Sequence, residues 1–88
     1  MSSEMLNLKE ELYSAILSLS SFEDCDAFFK DLCTEKELSS MIGRICAAKL
    51  LKNGETYEQI IKKTEISSAT LSRVSKALKY GKGYKNFL

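Results

Sequence analysis

From Ser67 to Lys76 the chain runs Ser-Ser-Ala-Thr-Leu-Ser-Arg-Val-Ser-Lys, short hydrogen-bonding side chains interspersed with two cations and no acid. On a helix, Leu71, Val74 and Leu78 recur at spacings of three and four, which turns them inward. Ser68, Ala69, Ser72, Arg73, Ser75 and Lys76 are left on the free face. Such groups bond to base edges and phosphate oxygens, and a DNA major groove accepts a helix that presents them. No competing chemistry is visible. The chain has no histidine, no phosphate-binding glycine loop and no paired carboxylates set opposite a pocket-forming pattern. General acid–base catalysis therefore has no carrier, and the chain reads as non-enzymatic with no catalytic residue. Cys25, Cys33 and Cys46 form no C-x-x-C pair. They read as small buried apolar residues in a reducing compartment, and neither a metal site nor a cofactor is expected.

The elements that position this face span residues 56–78, two short helices joined by a tight turn. Thr56 caps the first, with Gln59 returning to the cap amide as in a capping box, and Ile60 and Ile61 form its buried side. Ile66 marks the turn. Ser67 or Ser68 caps the second helix. Glu65 stands in the turn where glycine is common, so it needs either a negative φ or a modest strain cost.

Upstream, Met5, Leu8, Leu12, Ala15, Ile16 and Leu19 predict an amphipathic helix from about Asn7 to Ser18. Ser18 to Ser21 interrupt it with cap-forming residues. Glu23, Asp24 and Asp26 then favour the first turn of a second helix, whose buried side is Phe22, Phe28, Phe29, Leu32 and Cys33. Thr34-Glu35-Lys36-Glu37 has the form of a capping box and opens a third helix, ending near Asn53-Gly54. Leu38, Met41, Ile42, Ile45, Cys46, Ala47, Ala48, Leu50 and Leu51 make its apolar surface wider than one stripe, more than one chain covers. The expectation is an all-α domain over residues 1–80 with a tail over 81–88, in which lysine and tyrosine together contact phosphates or a frayed end docks Tyr84, Phe87 or Leu88 onto the domain.

Net charge averages two unlike halves. The whole chain carries +1, but residues 1–43 hold three lysines against nine acids, a net of −6, and residues 44–88 hold ten Lys or Arg against three acids, a net of +7. The basic half contains the two-helix motif, which suggests a surface aimed at a polyanion. With 88 residues the core is small, burying roughly 60–65% of the unfolded surface, and a partner would add to it. The amino terminus has no signal-peptide pattern, and no apolar run approaches the ~20 residues that span a bilayer, so the expected place is the cytoplasm with no membrane association.

From Leu32 to Lys79 the sequence resembles the bacterial tryptophan repressor superfamily, and within it the Trp repressor-related YerC/YecD branch. The matching residues are Leu32-Cys33-Thr34 followed by Glu37, then Arg44, Ala48-Lys49-Leu50-Leu51 with Gly54, and Ala69-Thr70-Leu71-Ser72-Arg73. The resemblance implies a Trp repressor-like helical fold and an intertwined homodimer in which each subunit presents one helix-turn-helix. It places Arg44 and Arg73 where tryptophan repressors bracket their corepressor, and Thr34 where a residue helps receive it. Val74 stands where those repressors have glycine, and its isopropyl group takes space that a flat indole needs. The expected effector is therefore not tryptophan. Arg44 reads equally well as an ion-pair partner of Glu37 or Glu55.

Together these features describe a sequence-specific DNA-binding transcriptional regulator, expected to repress, with double-stranded DNA and a second copy as partners. Its DNA-contact residues are Thr56, Ser67, Ser68, Ala69, Thr70, Ser72, Arg73 and Lys76. Its candidate effector residues are Thr34, Arg44, Arg73 and Val74. The alternative is a helical protein-interaction module with the same fold, in which the acidic first half makes the contact.

Overall fold

A computed structural model describes all 88 residues as six α-helices with no strand. They form two compact units, Met1–Thr34 and Glu35–Leu88.

The first unit contains α1 (Ser3–Leu17) and α2 (Phe22–Leu32). α1 begins four residues before the expected Asn7, because the Ser2 side chain accepts a hydrogen bond from the Met5 amide at 3.2 Å and so caps the helix. Ser18 ends it, its hydroxyl donating to the Ala15 carbonyl at 2.6 Å. Ser21 caps α2 by accepting from the Asp24 amide at 3.0 Å. In return, Asp24 Oδ2 accepts from the Ser20 amide and hydroxyl at 3.1 and 3.0 Å, and these bonds hold its carboxyl below the usual range. Asp26 pairs with Lys30 one turn on at 2.8 Å and raises that ammonium's pKa. Apolar burial departs from expectation. Phe28 and Phe29 are half-buried and meet edge to face at 5.4 Å, but Phe22 is 82% exposed and Leu32 is also exposed. The cysteines depart too: Cys25 and Cys46 are exposed and only Cys33 is half-buried, all as free thiols. Cys25 falls in an acidic first-turn segment, and Cys46 follows exposed Ile45 on the outer side of the third helix.

The second unit contains α3 (Glu35–Lys52), α4 (Tyr57–Thr64), α5 (Ser68–Tyr80) and a short α6 (Gly83–Phe87). α3 packs on both α4 and α5, α4 packs on α5, and α5 packs on α6. The buried core is Ala47 and Ala48 of α3, Ile60 of α4, and Leu71 and Val74 of α5, with Leu50, Leu51, Ile61, Ile66, Tyr84 and Leu88 packed around it. Two alanines on the supporting helix let the others come close, while Ile60, Leu71 and Val74 each contribute roughly 1.5–3 kcal/mol by leaving water. Gly43 brings a further close approach. A Cβ built there lies 2.8 Å from Ile66 Cγ2, so the turn between α4 and α5 sits directly on the backbone of α3.

α3 ends as its sequence suggests, with Gly54 at φ +84° and its amide on the Leu51 carbonyl at 3.0 Å. Residues 81–88 carry α6, and Tyr84 and Leu88 pack against the core while Phe87 is 83% exposed. Lys52 Nζ donates to the Leu88 carbonyl at 3.0 Å and Lys85 Nζ to the Lys79 carbonyl at 3.0 Å, which ties α6 to the ends of α3 and α5.

Candidate nucleic-acid interface

The candidate interface is built from α4, a three-residue turn and α5. At the start of α4, Thr56 Oγ1 accepts from the Gln59 amide at 3.2 Å and Gln59 Oε1 accepts from the Thr56 amide at 3.0 Å, a complete capping box. The Thr56 N–H is thereby occupied. The other amides of the first turn lack a helical carbonyl partner and point along the axis.

The turn takes the strained branch of the two open to Glu65. Its φ is +61° and ψ +14°, left-handed, and its amide closes α4 on the Ile61 carbonyl at 2.9 Å. Ile66 then drops onto Gly43. Ser67, rather than Ser68, caps α5: its Oγ accepts from the Thr70 amide at 3.1 Å and donates to Thr70 Oγ1 at 2.9 Å. Lys63 and Glu55 form an ion pair that links the end of α4 to the loop before it.

On α5, Ser68, Ala69, Ser72, Arg73 and Lys76 are all exposed, whereas Leu71 and Val74 are buried. Ser75, expected on the free face, is half-buried, as is Thr70, whose hydroxyl already serves the cap. Five candidate contact residues thus share one solvent-facing side of a capped helix, with no acid in the first turn.

A second feature adjoins this face. A cleft of about 240 Å³ is lined by Arg44 of α3, Thr70, Arg73, Val74 and Ala77 of α5, and Tyr84 of α6. Three of the four candidate effector residues, Arg44, Arg73 and Val74, therefore meet around one space. Thr34 is the last residue of the amino-terminal unit. Arg44 donates from Nη2 to Ser40 Oγ at 3.1 Å one turn back on α3, and Glu55, one of its expected partners, pairs with Lys63. Val74 is 3% exposed and contributes both to the core and to the cleft wall. Arg73 belongs to the cleft and to the exposed face together, so whatever fixes one affects the other.

Sequence reasoning left two residues here without their partners. Tyr84 was expected only as one of three tail residues to dock onto the domain, with nothing to place it beside Arg44 and Arg73. Gly43 carried a signal, a glycine inside a long helix, but not the identity of what approaches it. A polar groove of about 370 Å³ also runs between the start of α3 and the turn, lined by Lys36, Ser39, Ser40, Thr64, Glu65, Ile66, Ser67 and Thr70. No group of three His, Cys, Asp or Glu residues is placed to hold a metal ion, and no helix is long and apolar enough to cross a membrane.

Comparison with known proteins agrees with this architecture. The family model described as Trp repressor protein matches residues 7–88. The uncharacterized protein YerC of Bacillus subtilis is 44% identical over 72 residues, which cover 82% of this chain and 69% of YerC. A crystal structure of a TrpR-like protein from Eubacterium eligens superposes with a TM-score of 0.83 at 44% identity, over 86% of this chain and 79% of that one. A putative Trp repressor from Staphylococcus aureus superposes with a TM-score of 0.86 at 41% identity, over 97% and 88%. With the model matching nearly the whole chain and the helix-turn-helix seated as the motifs require, the chain belongs to the Trp repressor protein family, in the branch that includes YerC.

Proposed function

We propose that the chain is a cytoplasmic, sequence-specific DNA-binding transcriptional repressor that works as a homodimer and does not respond to tryptophan. The observation that carries this reading is the exposed side of α5, where Ser68, Ala69, Ser72, Arg73 and Lys76 stand free of acids in the half of the chain that carries +7. Ser68, Ala69 and Ser72 meet base edges, Arg73 and Lys76 meet bases or phosphates, and the helix starts at Thr56 and Ser67 face phosphates. Because Gln59 occupies the Thr56 amide, a phosphate at α4 uses the next amides of the first turn. Thr70 shapes the start of α5 through its bond to Ser67. Any small-molecule effector would enter the cleft between Arg44 and Arg73. The buried isopropyl group of Val74 disfavours an indole there, since overpacking costs about 1–3 kcal/mol.

The test is fluorescence anisotropy with duplexes selected from a random pool, titrated at two salt concentrations with and without tryptophan. Tight, salt-sensitive, sequence-selective binding unaffected by tryptophan is expected. Arg73→Ala should weaken it by about 1–3 kcal/mol if that side chain reads a base. Failure to enrich any duplex would defeat the proposal and favour the protein-interaction module.

A further inference from the structure

We propose that Tyr84 positions the reading helix: α6 acts as a brace, and the tyrosine ring holds α5 against α3 so that DNA binding is set by the chain's own carboxy-terminal helix rather than by a small molecule. This rests on the DNA-binding reading of α5.

α3 and α5 pack directly through Ala47, Ala48, Leu71 and Val74, and beside that contact the cleft lined by Arg44 and Arg73 leaves the exposed arginine side of α5 open to support from a third element. α6 supplies it. Tyr84 packs on the buried core and lines the cleft together with Arg44, Thr70, Arg73, Val74 and Ala77. Three further contacts keep α6 in place. Leu88 packs on the same core, Lys52 of α3 bonds to the Leu88 carbonyl, and Lys85 bonds to the Lys79 carbonyl in the last turn of α5. A five-residue helix has too few internal hydrogen bonds to persist alone, so its order derives from these contacts.

The connection between α5 and α6 is equally constrained. The Gly81 amide bonds to the Ala77 carbonyl at 2.8 Å, and a Cβ at position 81 would lie 2.6 Å from that same oxygen. The φ of −86° suits any residue, so what position 81 requires is space rather than a left-handed turn. A side chain there displaces the connection and with it Tyr84. Gly83 provides the contrast, because a Cβ there meets nothing within 4 Å.

The experiment uses the full chain and four variants: Tyr84→Ala, Tyr84→Phe, Gly81→Ala and Gly83→Ala. Amide hydrogen exchange is followed in the free protein, and affinity for a selected duplex is measured by anisotropy with and without L-tryptophan. Tyr84→Ala and Gly81→Ala should speed exchange selectively in residues 73–80, leave protection at Ala47 and Ala48 unchanged, and weaken duplex binding about tenfold, which corresponds to ~1.4 kcal/mol. Tyr84→Phe should recover most of both readouts, and Gly83→Ala should alter neither. Unchanged α5 exchange in Tyr84→Ala would overturn the proposal, and so would uniform acceleration through α3, α4 and α5, the mark of an ordinary core residue. A tenfold gain in affinity of the unaltered chain on adding tryptophan would also overturn it. If the unaltered chain bound no duplex, the DNA reading would fail while the exchange pattern still decided the role of Tyr84.

Discussion

Glu65 is the one non-glycine residue with a positive φ, and it sits where α4 stops and the turn begins. A left-handed conformation costs an ordinary side chain roughly 1–2 kcal/mol, and glycine would return about 0.5–1 of that as backbone entropy. Asparagine tolerates the region without the entropy loss. Glu65→Asn is therefore expected to stabilise the chain by about 0.5–1 kcal/mol in urea denaturation, and a variant no more stable than the parent would show that the strain is already relieved locally. Gly43 presents the opposite case. Alanine there gains about 1 kcal/mol of helix propensity but forces a methyl within 2.8 Å of Ile66 Cγ2, and overpacking of about 1–3 kcal/mol outweighs the gain. Gly43→Ala should destabilise, and Ile66→Ala in the same chain should recover part of the loss; two additive effects would disprove the contact. These two residues mark the limit of legibility. Glu65 was readable as a conflict between residue type and turn, because that conflict is local. Gly43 was not readable as the partner of Ile66, nor Tyr84 as sharing a cleft with Arg73, because these residues lie more than ten positions apart and nothing in local spacing brings them together.

At the level of helices, local chemistry was largely sufficient. The Thr56–Gln59 capping box, the stop at Asn53-Gly54 and the inward stripe of Leu71 and Val74 all depend on neighbours within four residues, and all lie where the sequence puts them. The start of α1 was misplaced because Ser2 precedes the apolar repeat and caps a first turn the repeat does not reach. The exposure of Phe22 and Leu32 was missed because periodicity says which residues share a face, not whether anything covers it. Sequence left Ser67 and Ser68 as equal candidates to cap α5, and geometry separates them. Ser67→Ala should cost about 1 kcal/mol of stability, within the 0.5–2 typical of a cap, whereas Ser68→Ala should stay within about 0.5 kcal/mol while weakening DNA binding. Equal losses of stability from both would disagree with the cap. α2 carries the pH-sensitive start. Hydrogen bonds from Ser20 favour the ionised Asp24, so its folded pKa lies below the ordinary 3.8. The contribution is complete above that ordinary value and is lost as pH falls through the lowered one. Circular dichroism should show α2 fraying at the acid end, and Asp24→Asn should flatten that part of the profile; an unchanged profile would assign the transition to other carboxylates.

Across the whole molecule, two properties point to assembly. Met5, Leu8, Leu12, Phe22, Ile42 and Ile45 are all large apolar residues left exposed in a single chain, between 39% and 82%. An 88-residue chain has little core to spare, so surface of this kind lowers free energy by finding cover, and the family resemblance implies a second copy as that cover. The charge division gives the other property: residues 1–43 carry −6 while residues 44–88, which include α5, carry +7. A dimer then offers two reading helices about a two-fold axis, and its preferred site should be a pseudo-palindrome with half-sites roughly 34 Å apart. If six to ten phosphates are neutralised across both heads, affinity should fall by about 10³–10⁵ between 50 and 200 mM salt. Ile45→Glu places a carboxylate on the exposed apolar surface of α3 and should shift sedimentation from dimer to monomer. The same variant should bind a palindrome no better than an isolated half-site, because linkage between the two heads is what multiplies their affinity. A monomeric parent would refute the dimer, and an Ile45→Glu variant that remains dimeric and keeps its preference for the palindrome would place the interface elsewhere.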